Sequence, residues 1–164
     1  MSRVITFSRV FPAYHPKAAQ QTHFVEKIWN SITELGLPHF KNKDFSDDFM
    51  WSILPLSNYG CKYHTIRAGN RWKVGDKFSP RVWGGKPYNS KKIIISPDIE
   101  IKKIWDFEIK DHRFIVDGIV KGIDEAILTI AENDGLTIFG FMDWFKFPKE
   151  FKGQIICWNE NINY

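Results

Sequence analysis

Cysteine is scarce in this sequence. Only Cys61 and Cys157 occur among the 164 residues, and neither belongs to a CxxC pair. Two thiols are too few for a disulfide-stapled secreted scaffold, and without a CxxC pair they carry no zinc or redox motif. We therefore expect both thiols to be reduced and structural.

The sequence also lacks long hydrophobic runs. No stretch approaches the roughly 18 consecutive apolar residues that a membrane span requires, and the opening MSRVITFSRVFPAYHPK has no apolar segment typical of a signal peptide. These absences predict a cytoplasmic protein with no membrane partner.

Motifs for metals and common cofactors are missing as well. The histidines His15, His23, His39 and His112 are scattered, without HxxxH or HExxH spacing, so we expect no metal site. No glycine pattern resembles a Walker or dinucleotide-binding loop. The sequence predicts no cofactor.

The chain has enough hydrophobic and aromatic residues to form a core. Hydrophobic residues make up 43% and aromatic residues 16%, with 7 Trp and 14 Phe. This composition and a length of 164 residues favour a single globular domain over residues 1–164. Residues 37–59 combine acidic, aromatic and proline positions, and we interpret them as an inserted helical or irregular segment.

Positive charge is concentrated in one part of the chain. Between Lys62 and Lys92 there are nine basic residues and one acid, Asp76, a local net charge of +8 within a total of +4. Tyr63, Trp72, Phe78, Trp83 and Tyr88 are interleaved with these cations. Such a mixture suits phosphate neutralisation and base stacking, so it predicts RNA or a nucleoside as partner. The alternative is a solvated basic strand face whose aromatic residues point into the core.

Hydrophobic periodicity and turn signals predict an α+β fold. We expect strands over residues 4–7, 63–67, 76–83, 99–109 (with an irregularity near Trp105), 113–116, 119–121 and 154–158, and helices over residues 17–35, 124–131 and 138–145. Asp117 and Gly118 are the strongest hairpin signal, since a type I′ turn needs positive φ at both central residues. Strands of this length suggest a small closed or nearly closed barrel of five to six strands with flanking helices.

One segment carries a family resemblance. Gly60-Cys61-Lys62-Tyr63-His64-Thr65-Ile66-Arg67 matches GxKxxTxR at all four fixed positions, and this pattern is the hallmark of the ASCH domain, a PUA-like β-barrel family. The early strand before a helix and the Val74-Gly75-Asp76 turn before the next strand also resemble that family. Residues 37–59 depart from it, because they are longer than the corresponding part of a minimal member.

The resemblance implies a function. Small bacterial ASCH proteins are similar to amidohydrolases that remove the acetyl group of N4-acetylcytidine with a lysine, a threonine and a glutamate. Lys62 and Thr65 match the first two positions, and Glu132 is the candidate for the third, with Asp124, Glu125 and Asp134 as competitors. In this reading Thr65 attacks the amide carbonyl or positions water, Lys62 takes the proton and Glu132 protonates the leaving amine. The alternatives are a non-catalytic RNA-binding module and a ribonuclease-like activity.

Strand geometry supports part of this assignment. Thr65 and Arg67 are two residues apart and share one strand face, whereas His64 and Ile66 point to the other. Lys62 lies off the regular alternation, but a turn at Gly60 would bring its ammonium towards Thr65. Arg67 is expected to hold the oxyanion or the substrate. The remaining candidate substrate contacts are Tyr63, Arg71, Trp72 and Lys73.

Overall fold

The structure, a computed structural model, describes residues 2–36 and 56–164 and shows an α+β fold. Its strands are β1 (Arg3–Phe7), β2 (His64–Ala68), β3 (Lys77–Trp83), β4 (Lys92–Ile94), β5 (Ile99–Glu100), β6 (Lys103–Lys110), β7 (Arg113–Val116), β8 (Ile119–Lys121) and β9 (Phe151–Cys157). Its helices are α1 (Phe24–Glu34), α2 (Leu128–Asn133) and α3 (Ile138–Trp144). Most predicted elements are confirmed, although β4 was not predicted.

The strands form two sheets. In the smaller sheet β3 lies between β1, to which it is parallel, and the short antiparallel strands β4 and β5. The larger sheet is antiparallel throughout and has the order β2-β9-β6-β7-β8. No closed barrel is found among the described residues, so the PUA-like barrel stays a prediction.

Two hydrophobic clusters fill the interior. The first joins α1 to β1, β3 and the end of β9, and the second lies between the larger sheet and helices α2 and α3. Adjacent residues of β9 belong to different clusters, Ile155 to the second and Ile156 to the first. Because neighbouring side chains of a strand point to opposite faces, β9 and its partner β2 separate the two clusters.

Helix α1 begins later than predicted. It starts at Phe24 rather than at residue 17, after His23 in the left-handed region with φ +57°. Thr22 secures this entry, because its hydroxyl donates to the carbonyl oxygen of Ser8 (2.7 Å) and accepts from the Phe24 amide (3.3 Å). Residues 17–23 therefore do not join the helix, because contacts with the segment after β1 hold them in another conformation.

The Asp117-Gly118 hairpin is confirmed. Both residues have positive φ, +49° and +78°, as a type I′ turn requires, and they connect β7 to β8. A second two-residue turn of the same kind, Asp111-His112 with φ +50° and +58°, connects β6 to β7. It was not predicted because it has no glycine.

The predicted strand over residues 99–109 is wrong in its continuity. It breaks at Ile101 and Lys102, and β5 before the break and β6 after it lie in different sheets. The Ile101 amide donates to the carbonyl oxygen of Asp76 (2.9 Å), whereas the Lys102 amide donates to that of Cys157 (2.8 Å). The chain therefore passes from one sheet to the other here, and not at Trp105.

The helices after β8 are close to their predicted positions. A π-helical turn at Ile123–Ile127 leads into α2, and Thr137 caps α3 by accepting from the Gly140 amide (3.1 Å). Of the inserted segment over residues 37–59, only the 3₁₀ turn Leu56–Tyr59 falls within the described residues. None of the described helices has the length and apolar character needed to cross a membrane.

Candidate functional site

Strand β2 presents the motif on two faces, as its alternation predicts. Thr65 pairs with Ile156 of the first cluster, and Ile66 pairs with Ile155 of the second. Paired residues of an antiparallel sheet place their side chains on the same face. Thr65, which is 4% exposed, therefore shares the first-cluster face with Arg67.

The guanidinium of Arg67 is half-buried and only partly bonded. Its Nη2 donates to the carbonyl oxygen of Thr6 (3.0 Å), and its Cζ lies 5.3 Å from the centre of the Phe7 ring. Its buried Nε has no hydrogen-bond partner among the residues that the structure describes. Burial lowers the pKa of Arg67, and the nearby Asp134 carboxylate opposes this shift. Arg67 therefore holds an unused donor in a partly desolvated position.

Arg67 forms part of the wall of a cleft with a volume of about 590 Å³. We call it the Arg67 cleft, and it is lined by residues 6–13, Gln21, Arg67, Trp83, Gly85, Pro87 and Tyr88. The lining combines aromatic rings with two arginines, Arg9 and Arg67. Its volume falls within the range of roughly 300–1,000 Å³ that is usual for small-molecule sites.

Lys62 is fully buried and paired with Asp134. Its Nζ donates to both the Oδ1 (2.5 Å) and the main-chain oxygen (2.6 Å) of Asp134, and the two residues are 2% and 4% exposed. The Lys62 ammonium also lies 4.3 Å from the centre of the Phe24 ring and 6.0 Å from that of Phe7. Phe7 thus contacts Lys62 on one side and contributes to the Arg67 cleft.

Burial changes the ionisation of this pair. It lowers the pKa of Lys62 to about 8, although the Asp134 charge and hydrogen bond work in the opposite direction. Burial raises the pKa of Asp134, and the positive charge of Lys62 opposes that shift. A lysine with a pKa near 8 is about one-tenth neutral at pH 7, and the neutral form is the one that a general base requires.

His64 lies on the opposite face of β2 from Thr65. Its Nδ1 is 2.6 Å from the hydroxyl of Tyr164, and its Nε2 is 3.7 Å from the Oδ1 of Asp134. Burial, followed by the Lys62 charge, lowers the pKa of His64 well below its ordinary value. The imidazole is therefore neutral at neutral pH, and it packs behind the ion pair.

Glu132 and Tyr63 lie in a different place from Arg67. Glu132 is exposed, and both residues line an open groove of about 680 Å³ together with Cys61 and Leu128. The hydroxyl of Tyr63 donates to Glu34 of α1. Among the described residues, the carboxylate that contacts Lys62 belongs to Asp134. Lys62 is thus paired with Asp134, one of the alternative acids that the sequence offered beside Glu132.

The predicted contacts at residues 71–73 are not brought to the cleft. Arg71 and Lys73 are exposed, whereas Trp72 is 3% exposed and packs on Phe78 in the first cluster. Gln154 holds this loop, because its amide bonds both the amide nitrogen (3.1 Å) and the carbonyl oxygen (3.2 Å) of Trp72. Trp72 is therefore packed into the core and has little exposed surface.

Sequence reasoning missed three residues of the cleft wall, Phe7, Arg9 and Phe11. The cleft is assembled from β1, the segment after it, β2 and the end of β3. The parallel pairing of β1 with β3 brings the segment after β1 next to the end of β3, and the bond from Arg67 to the carbonyl oxygen of Thr6 links β2 to β1. The sequence did indicate Trp83 and Tyr88, because both are aromatic residues within the basic segment.

Within residues 2–36 and 56–164, no group of His, Cys, Asp and Glu side chains is arranged to hold a metal ion. Comparison with protein-family models, curated proteins and solved structures found no match for this chain. Function is therefore argued from the site itself.

Proposed function

We propose that this protein binds RNA or a modified nucleoside by taking a base into the Arg67 cleft. The observation that carries the proposal is the half-buried guanidinium of Arg67 in the wall of a cleft lined by aromatic rings. A guanidinium in the wall of a cleft presents several N–H donors in one plane, which suits an anionic or carbonyl oxygen of a ligand. The half-exposed ring of Trp83 supplies apolar surface for a planar base.

The charge around the cleft supports a phosphate-bearing ligand. Residues 77–97 include five basic residues and no acidic residue, and they supply Trp83, Gly85, Pro87 and Tyr88 of the wall. Clustered cations beside a groove raise the local concentration of anions. The cleft therefore suits a nucleotide better than an uncharged metabolite of the same size.

The resemblance to ASCH domains is part of this proposal. Two observations support the resemblance. The sequence matches GxKxxTxR at Gly60, Lys62, Thr65 and Arg67, and Arg67 lies in the wall of a cleft. On this view the two sheets correspond to the PUA-like barrel of that family.

Binding of single-stranded RNA at increasing salt tests the proposal. A fluorescent eight-nucleotide RNA should bind the protein, and the logarithm of the affinity should fall linearly with the logarithm of salt concentration. The slope should be about −0.7 for each phosphate neutralised, so three contacts give about −2. No binding at low salt, or an affinity that does not change with salt, would contradict the proposal.

Amide hydrolysis is the second candidate function, and the lowered pKa of Lys62 favours it. Neutral Lys62 would take the proton of Thr65 as its hydroxyl attacks the acetyl carbonyl of an N4-acetylcytidine-like substrate. Lys62, now protonated and held by the Asp134 carboxylate (2.5 Å), would pass this proton to the cytosine amine as the C–N bond breaks. Water would then release acetate from Thr65. Arg67 would stabilise the oxyanion.

Turnover of N4-acetylcytidine tests this second function. Because the base is neutral Lys62, the rate should rise about tenfold per pH unit below pH 8 and level off above it. Thr65→Ala should lower the rate at least about 100-fold, whereas Glu132→Gln should leave it unchanged. Absence of turnover, or full activity in Thr65→Ala, would rule out hydrolysis while leaving RNA binding in place.

A further inference from the structure

Tyr88 is held in an unusual position at the edge of the Arg67 cleft. It is 87% exposed, and its backbone is in the left-handed region with φ +65°. Most exposed large hydrophobic side chains need no explanation, but a bulky residue with positive φ is uncommon and strained. The exposed position and strained backbone of Tyr88 do not stabilise the fold, so a role in binding accounts better for a tyrosine at this position.

The loop that carries Tyr88 is well bonded. The Gly84 amide donates to the carbonyl oxygen of Lys91 (2.8 Å), and the Gly85 amide donates to the hydroxyl of Ser90 (3.0 Å). The Ser90 hydroxyl in turn donates to the carbonyl oxygen of Lys86 (2.8 Å). These bonds fix the loop so that Tyr88 projects at the edge of the cleft.

Tyr88 is also part of a group of rings and cations. Its ring centre lies 5.2 Å from that of Trp83, and the Nζ of Lys92 lies 4.8 Å from the centre of the Trp83 ring. Lys86 is exposed in the same loop. An aromatic surface next to cations is the arrangement that binds successive units of a single strand, with bases stacked on rings and phosphates bound to cations.

We propose that Tyr88 stacks on the base that enters the Arg67 cleft, and that Lys86 and Lys92 contact phosphates of the same strand. This inference rests on the proposed function and deepens it, because it makes the partner a strand of RNA rather than a free nucleoside. A free nucleoside has no phosphate for Lys86 and Lys92 to contact. The strand runs from the cleft over the edge formed by Tyr88.

Binding of a fluorescent eight-nucleotide RNA to three variants tests the role of the tyrosine ring. Tyr88→Ala should bind about 5- to 100-fold more weakly than the unaltered protein, because base stacking on an aromatic ring is lost. Tyr88→Phe keeps the ring and should bind within about twofold of it. Phe139→Ala removes an aromatic side chain that is 76% exposed on α3, away from the cleft wall, and should bind normally.

Two lysine variants and competition by cytidine test whether the partner is a strand of RNA. Lys86→Ala and Lys92→Ala should each reduce the salt slope by about 0.7, and cytidine should compete with the RNA only weakly. Equal RNA binding by Tyr88→Ala, or cytidine binding as tight as that of the octamer, would overturn this inference while the proposed function stood. Failure of the unaltered protein to bind either the RNA or cytidine would overturn the proposed function itself.

Discussion

Replacing Asp134 with alanine should lower the free energy of unfolding by about 3–5 kcal/mol. The variant would leave the buried ammonium of Lys62 without the carboxylate that lies 2.5 Å away. Two charges inside a protein attract strongly, but removing one leaves the other buried without compensation. Lys62 can relieve part of this cost by losing its proton, because the Asp134 charge is what raises its pKa against burial.

Urea unfolding measures this loss of stability. Two further variants show whether the loss comes from breaking the ion pair. Glu132→Ala removes an exposed acid and should change the stability by no more than about 0.5 kcal/mol. The double variant Lys62→Met with Asp134→Leu removes both charges and should recover much of the loss. A larger loss in Glu132→Ala than in Asp134→Ala would contradict the pairing.

Arg67→Gln should weaken the binding of single-stranded RNA about 10- to 100-fold. Hydrogen bonds to charged groups contribute about 1.5–3 kcal/mol, and about 1.4 kcal/mol corresponds to a tenfold change in affinity. Arg67→Lys keeps the charge but loses the planar fork of donors, so it should restore only part of the affinity.

The matched control is Arg113→Gln, which removes an exposed arginine of β7. It removes the same charge from the protein, and its affinity for RNA should stay within about twofold of the unaltered protein if binding occurs at the cleft. Circular dichroism should show that Arg67→Gln remains folded. Equal losses in the two arginine variants would mean that only total charge matters.

Local signals in the sequence predicted most of the elements. The strand at β2, the Asp117-Gly118 hairpin and helix α3 followed from alternation, turn chemistry and helical spacing. The alternation also placed Thr65 and Arg67 on one face of β2, which the pairing with β9 confirms. These features depend on neighbours in sequence, so short-range rules are sufficient for them.

Long-range contacts decided what the sequence could not. The acid that meets Lys62 depends on how the end of α2 packs against the segment before β2, and spacing alone did not separate Asp134 from Glu132. Trp72 is buried because Gln154, 82 residues later, holds its loop against the core. The break between β5 and β6 likewise depends on the two sheets that the chain must join.

A crystal structure of the protein with a short single-stranded RNA would test the central claim most directly. The account predicts a base inside the Arg67 cleft, with an oxygen of the RNA within hydrogen-bond distance of the Arg67 guanidinium. RNA bound on another surface, with no ligand atom near Arg67, would contradict it.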